Sequence, residues 1–331
     1  MSAERAELPE PDKLAGAPHP RHTAELYGQG AAERAFLEAH AAGRLHHGWL
    51  LTGPRGVGKA TLAWRIARFL LAQGEDAGSG LFGAPETPAR LDIDPEHPVA
   101  RRVAALSEPG LFLLRRGANA AGTGLSDAIR VEEVRRLKSF FALSRTEGGA
   151  RVVIIDAADE MNVSAANAVL KLLEEPPERA TLLLVSHQPA RLLPTIRSRC
   201  RTLALSSLGE DDLAAALAQA GVAPEGGAGT LAALSGGSAG AAVTLAQEGG
   251  AALYAELMGV LASLPRLDRP AALALSERAA GQGAEARRDL LFELIDHALA
   301  RLALTGARGR PPAPEAAPGE AETLARLSPD A

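Results

Sequence analysis

The stretch from Gly53 to Ala60 constrains this chain more than any other, because it reads G-x-x-x-x-G-K between two regular elements. An apolar run at 49–52 precedes it and predicts a buried strand, and residues 61–71 follow with the period of a helix. A glycine loop between a strand and a helix is the context in which this motif binds phosphate. It predicts that loop amides and the helix N-terminus cradle the phosphate, and that Lys59 reaches the terminal phosphates.

The loop lacks the last residue of the motif. Ala60 stands where a Ser or Thr hydroxyl normally binds the magnesium ion that bridges the β- and γ-phosphates. Thr61 lies about 100° further around the helix and does not simply take over that role. We therefore expect a degenerate nucleotide site in which metal-assisted hydrolysis is badly weakened. The candidate residues of this site are Gly53, Gly56, Gly58, Lys59, Thr61 and Asp156.

Asp156 ends a second apolar run, at 151–156, where parallel α/β sheets bind their ligands. A nucleotide hydrolase needs this acid to hold magnesium, and it needs a neighbouring carboxylate to orient the attacking water. The neighbour here is Ala157. Asp159 and Glu160 come later, where capping or a solvated loop is the simpler interpretation.

Apolar runs that alternate with helical patterns predict an α/β core with a parallel sheet over residues 22–206. The predicted strands are 49–52, 111–114, 151–156, 181–186 and 202–205. After these, glycine pairs separate short helical patterns, which predict a small helical domain at 207–249. Longer helical patterns at 250–305 predict a second, all-α domain. Residues 1–21 and 306–331 are rich in proline, and we expect a flexible lead-in and a flexible tail.

Composition excludes several classes of protein. The 331 residues carry a formal charge of -5, so any contact with nucleic acid must come from a local basic patch. Cys200 is the one cysteine, which rules out an internal disulfide and a cysteine-based zinc site and fits a reducing cytoplasm. No apolar run approaches the roughly 20 residues of a membrane span. These features predict a cytoplasmic protein that does not enter a membrane.

Two sets of basic residues have more than one interpretation. Residues 193–201 place arginines in alternation around Ser198-Arg199-Cys200, either as a solvated face or as a source of charge for phosphate on a neighbouring chain. The second set is on the helix predicted at 129–143, where a solvated face is one interpretation. Its members are Arg130, Arg135, Arg136 and Lys138.

Five stretches occur together in a fixed order. They are Leu26-Tyr27-Gly28-Gln29, the loop segment 48–59, Ile155 to Asp159, Ala165 to Pro177 and Leu193 to Cys200. Together they resemble the AAA+ clamp-loader family, and most closely the delta-prime subunits of bacterial DNA polymerase III. The runs N-A-V-L-K-L-L-E-E-P-P and S-R-C, in this order, are highly specific to clamp-loader subunits. The resemblance covers residues 22–206 and implies a P-loop AAA+ core followed by a helical lid and a helical collar that oligomerises.

Differences from the motor subunits of that family indicate which kind of subunit this chain resembles. Those subunits have Thr after the loop lysine, Asp-Glu on the acid strand and an arginine at the start of the last lid helix. This chain has Ala60, Ala157 and Gly240 at these positions and keeps the Ser198-Arg199-Cys200 loop. The resemblance therefore implies a subunit that does not hydrolyse ATP, whose Arg199 acts as a catalytic finger on the adjacent motor subunit.

Further expectations follow from the same resemblance. The implied partners are gamma/tau-type motor subunits and a delta subunit and, through the complex, the sliding clamp and primer–template DNA. The resemblance implies a second interpretation of the basic residues at 129–143, in which they face this DNA. No cofactor is required, and residual binding of ATP or ADP stays open. Related loaders carry a four-cysteine zinc module, but residues 74–100 hold no cysteine, so no zinc or other metal is expected. The remaining alternatives are an active motor in which Thr61 or Asp159 replaces the missing ligands and, more remotely, a P-loop kinase of a small metabolite.

Overall fold

The computed structural model describes residues 10–76, 88–119, 121–143, 149–223, 227–280 and 284–328. The chain forms two compact units. The first runs to Ser206, where the sequence places the end of the AAA+ core. The second begins at Ser207 and also includes the short segments Ala15–Ala17 and Arg55–Val57.

The described part of the first unit contains a five-stranded sheet and six α-helices. The strands are β1 (Gly48–Thr52), β2 (Leu111–Leu114), β3 (Arg151–Asp156), β4 (Ala180–Val185) and β5 (Arg201–Ala204). The helices are α1 (Gly30–Ala41), α2 (Lys59–Asp76), α3 (Pro98–Ala104), α4 (Val131–Leu143), α5 (Val163–Glu174) and α6 (Pro194–Arg197). All strand pairs are parallel, in the order β2-β3-β4-β1-β5. The predicted α/β core is therefore confirmed.

The register of the sheet places Asp156 beside the glycine loop. Every residue of β3 and β4 is buried, as expected for strands covered on both faces by helices. Val185 of β4 pairs with Leu51 on one side and with Asp156 on the other. The end of β3 therefore lies at the same level as the end of β1, two strands away.

The described part of the second unit contains α-helices only. They are α7 (Glu210–Gln219), α8 (Ala228–Ser235), α9 (Ala239–Gln247), α10 (Gly250–Ala262), α11 (Arg269–Ala279), α12 (Glu285–Arg308) and α13 (Glu320–Leu327). The sequence predicts separate lid and collar domains at 207–249 and 250–305. In the structure, leucines of both segments, including Leu231 and Leu294, belong to one hydrophobic cluster.

The two chain ends are more structured than their composition predicts. Where we expected a flexible tail at 306–331, helix α13 buries Glu320 against Arg301, with Nε and Oε1 2.7 Å apart. Where we expected a flexible lead-in, Asp12 and His19 are buried. Residues 1–9 and 329–331 lie outside the described residues. Pairing of buried charges fixes the described part of each segment, and proline content does not reveal it.

Among the described helices, no single one is long and apolar enough to cross a membrane, although the bent pair α8 and α9 meets that criterion when taken together.

Candidate functional site

The glycine loop has a backbone that only glycine can adopt at its first position. Gly53 has a φ of 139°, which other residues rarely adopt. A Cβ atom added there would lie 2.3 Å from the carbonyl oxygen of Leu205, the residue that follows β5. The loop therefore passes directly beside the end of the neighbouring strand, and the first glycine of the motif allows this close approach.

Lys59 begins α2 and is buried, with an exposed fraction of 3%. Its Nζ atom donates hydrogen bonds to the carbonyl oxygens of Gly53, at 2.7 Å, and Pro54. The ammonium group is thus bound to its own loop. To reach a phosphate, Lys59 would exchange these acceptors for phosphate oxygens.

The next two loop carbonyls also accept hydrogen bonds, within the second unit. Ser238 Oγ donates a hydrogen bond to the carbonyl oxygen of Arg55 at 2.8 Å. The backbone N–H of Gly240 donates one to the carbonyl oxygen of Gly56 at 3.0 Å. Ser238 is also the N-cap of α9, because its Oγ accepts a hydrogen bond from the N–H of Ala241. The motor subunits' arginine would stand at Gly240, and here that position supplies a backbone contact to the loop.

The loop does not fit a magnesium–nucleotide complex. Ala60 is half-buried in the first turn of α2 and brings no oxygen ligand. Thr61 is one residue further along the same turn.

Asp156 is buried and holds its proton unusually tightly. Burial, together with the nearby charges of Asp12 and Glu160, raises the pKa of its carboxyl group to about 7, while Lys59 opposes the shift. The neutral form of Asp156, which predominates below about pH 7, is a poor magnesium ligand, because hard cations bind ionised oxygen ligands. The raised pKa of Asp156 and the missing hydroxyl group at Ala60 therefore both disfavour magnesium binding.

The sequence gives no signal for the role of Asp12. Its Oδ2 atom lies 3.1 Å from Nε2 of His19, and its Oδ1 atom contacts Arg115, which follows β2. His19 packs edge-on against Trp64 of α2, with ring centroids 5.8 Å apart. Burial raises the pKa of Asp12, but the His19 and Arg115 contacts outweigh it, and the net pKa is lowered. Asp12 thus contributes a buried negative charge that acts on Asp156.

Asp159 and Glu160 have structural partners. They lie in a short 3-10 helix, Ala158–Glu160, that follows β3. Asp159 Oδ1 accepts a hydrogen bond from the N–H of His187 at 2.9 Å, and Glu160 Oε2 lies 2.8 Å from Nε of Arg116. These contacts agree with the capping and loop roles rather than with a water-orienting carboxylate.

Arg199 lies in the turn between α6 and β5. Its Nη1 atom donates to the carbonyl oxygen of Thr195 at 3.1 Å, and its Nη2 atom lies 3.0 Å from Oε1 of Glu174. The side chain is 38% exposed. Ser198 caps the end of α6 and donates its own hydroxyl hydrogen bond to Thr195. Burial raises the pKa of Cys200 to about 12, so this thiol stays protonated and unreactive.

The sheet separates Arg199 from the loop of its own chain. Arg199 precedes β5, and its carbonyl oxygen lies close to Gly48, the first residue of β1. The loop begins at Gly53, after the last residue of β1. Because β1 and β5 are parallel, Arg199 lies at the end of the sheet where these strands begin, and the loop lies where they end. At the usual rise per residue, the two sites are separated by about 16 Å. The structure thus brings the loop and Asp156 together and leaves Arg199 apart from them.

Two other sequence expectations concern charged groups. All four basic residues of the predicted helix 129–143 are exposed, and Arg136 pairs with Glu133 at 2.8 Å. Within the described residues, no group of three or more His, Cys, Asp or Glu side chains is arranged to hold a metal ion.

Comparison with known proteins assigns this arrangement to a family. The DNA polymerase III subunit delta' of Pseudomonas aeruginosa is 42% identical over 154 residues, which cover 46% of this chain and 41% of that protein. The corresponding subunit of Yersinia pestis is 35% identical, over 51% of this chain and 44% of the relative. The gamma/tau subunit of Mycobacterium tuberculosis is 31% identical, over 54% of this chain and 28% of the relative. The chain thus spans less than half the length of these relatives.

Among solved structures, the RuvB Holliday junction branch migration motor of Thermotoga maritima aligns with 78% of this chain and 72% of its own, at 17% identity and a TM-score of 0.42. A family model described as DNA polymerase III, delta subunit, matches residues 28–209, which is more than half of the chain. The matched range contains the glycine loop, Asp156 and the turn that carries Arg199. The chain therefore belongs to this DNA polymerase III delta subunit family.

Proposed function

We propose that this chain is a clamp-loader subunit that does not hydrolyse ATP and that supplies Arg199 to the nucleotide site of an adjacent motor subunit. The observation that carries the proposal is the position of Arg199 at the edge of the sheet opposite its own loop. An arginine at that edge cannot reach a phosphate in the loop that follows β1. A neighbouring subunit that presents its nucleotide to this edge would meet a partly exposed guanidinium group.

Arginine suits this role, because its planar guanidinium group is always charged and presents several donors to phosphate oxygens. Such a residue stabilises the charge that develops during phosphoryl transfer. Ser198 and Thr195 support the turn through a hydrogen bond of 3.1 Å, so the backbone of Arg199 is held by local contacts.

Three features support the absence of hydrolysis in this chain. Ala60 brings no metal ligand, and the raised pKa of Asp156, about 7, weakens its charge near neutral pH. The neighbour of Asp156 is Ala157, so no carboxylate follows it directly to orient a water molecule. Each feature weakens a different part of the hydrolytic machinery.

The names of the relatives support the choice of partners. Relatives of this chain are named as delta' and gamma/tau subunits of DNA polymerase III. We propose that the chain assembles with gamma/tau-type and delta subunits in the cytoplasm. In that complex it would help to load the sliding clamp on primer–template DNA during replication.

The experiment compares Arg199→Ala with Arg197→Ala, a control that removes an exposed arginine two residues away. Each variant is assembled with motor and delta subunits, and ATP turnover and clamp loading on primed DNA are measured. Removal of an arginine finger costs about 10³–10⁵ in rate in the best-studied GTPases. We therefore expect clamp loading to fall by at least about tenfold with Arg199→Ala, and to change little with Arg197→Ala.

The isolated chain provides the second half of the test. We expect no ATP turnover from it, and calorimetric titration with ATP and ADP, with and without magnesium, measures any residual binding. Robust turnover by the isolated chain would support the active-motor alternative. An Arg199→Ala complex that loads clamps at the normal rate would contradict the proposed finger.

A further inference from the structure

We propose that Glu174 is a positioning residue for Arg199, an inference that rests on the proposed function. Glu174 is the last residue of α5, and its Oε1 atom lies 3.0 Å from Nη2 of Arg199. The other terminal nitrogen, Nη1, donates to the carbonyl oxygen of Thr195 at 3.1 Å. The guanidinium group is therefore held at both ends, by acceptors from two different helices.

The two helices are fixed relative to each other by β1. A Cβ atom added to Gly48 would lie 2.8 Å from Cδ2 of Leu173, 3.2 Å from the carbonyl oxygen of Arg199 and 3.3 Å from Sγ of Cys200. The absence of a side chain at Gly48 thus lets the end of α5 and the arginine turn pack on the same residue. His47 adds a hydrogen bond of 2.9 Å between its Nε2 atom and the carbonyl oxygen of Leu173.

This packing fixes the backbone beside Glu174, and the partly exposed carboxylate extends from that fixed position towards Arg199. A long arginine side chain loses considerable rotamer freedom when it is ordered. If Glu174 and Thr195 order Arg199 before the partner arrives, that loss does not reduce transition-state stabilisation. The contact with Thr195 uses one of the five N–H donors of the guanidinium group, and the contact with Glu174 is an ion pair.

Three variants in the assembled clamp-loader complex test this role, with kcat and KM for ATP measured in the presence of clamp and primed DNA. A partly exposed ion pair is a weak interaction, so we expect Glu174→Ala to lower kcat by about two- to fivefold with little change in KM. Glu174→Gln, which keeps the shape of the side chain and removes its charge, should lower kcat to a similar extent, because the contact with Nη2 is an ion pair. Glu175→Ala, which removes the adjacent exposed carboxylate, should leave both constants unchanged.

A double-mutant cycle separates positioning from a structural role. In an Arg199→Ala background, Glu174→Ala should have no further effect, because there is no finger left to position. An equal loss of kcat with and without Arg199 would overturn the proposal, and so would an unchanged kcat in Glu174→Ala. If Arg199→Ala alone leaves turnover unchanged, the proposed function fails, whatever the result for Glu174.

Discussion

The elevated pKa of Asp156 predicts how the stability of the first unit depends on pH. The folded chain binds the Asp156 proton more tightly than the unfolded chain, so this group stabilises the fold fully below the unfolded pKa of 3.8. That stabilisation is lost as the pH rises through the folded value of about 7. The substitution that tests this is Asp156→Asn, which keeps the shape of the side chain and removes its charge.

The magnitude follows from the two pKa values. A difference of about 3 units, from 3.8 to about 7, corresponds to at most about 4 kcal/mol of lost stability at high pH. About 2–3 kcal/mol of that loss falls between pH 5 and pH 8, because the folded group ionises only near the upper end of this interval. The difference in unfolding free energy between Asp156→Asn and the unchanged chain should therefore grow by about 2–3 kcal/mol in favour of the variant over this interval.

Tryptophan fluorescence measures the unfolding of the first unit separately from that of the second. The chain has two tryptophans, Trp49 and Trp64, and both are fully buried in the first unit. Urea unfolding followed by their fluorescence at pH 5, 6, 7 and 8 gives the unfolding free energy of that unit. The matched control is Asp127→Asn, which neutralises an exposed aspartate in the same unit. A difference between Asp156→Asn and the unchanged chain that stays constant with pH would refute the reasoning.

Two further predictions concern the second unit. Glu320→Gln should destabilise this unit by about 3–5 kcal/mol, because it leaves the buried charge of Arg301 without a counter-charge. The control Glu322→Gln, at an exposed position, should change stability by less than about 0.5 kcal/mol. Ser238→Ala should cost about 0.5–2 kcal/mol through loss of the α9 cap. Urea unfolding followed by far-UV circular dichroism measures each change. A Glu320→Gln variant as stable as Glu322→Gln, or an unaffected Ser238→Ala, would contradict these assignments.

The sheet could be predicted from the sequence, because local pattern and burial agree there. The runs that became β3 and β4 are almost entirely apolar, and strands buried on both faces require this. The glycine loop was equally clear, since its spacing fixes where the chain must turn after β1. The end of the acid strand followed as well, because parallel strands place their carboxyl ends at one edge.

The partners of the charged groups could not be predicted, because they come from distant parts of the chain. Asp12 meets Arg115, more than a hundred residues away, and no periodicity links the two. The proline-rich segment after α12 reads as a tail by composition. Yet Arg301 donates hydrogen bonds to the carbonyl oxygens of Pro312 and Pro314 and pairs with Glu320, and these contacts hold the segment in place.

The structure also changes the meaning of Lys59. In the sequence, an intact loop lysine beside Ala60 leaves nucleotide binding open. In the structure, Lys59 is buried, and the carbonyl oxygens of Gly53 and Pro54 accept hydrogen bonds from its ammonium group. A buried lysine needs such acceptors, and a loop whose carbonyls converge on one point needs a donor. Lys59 therefore has a structural role that is independent of phosphate, and its presence alone is no argument for ATP binding. The groups that bear on nucleotide chemistry are Ala60, which has no oxygen to offer a metal ion, and Asp156, whose raised pKa weakens its charge near neutral pH.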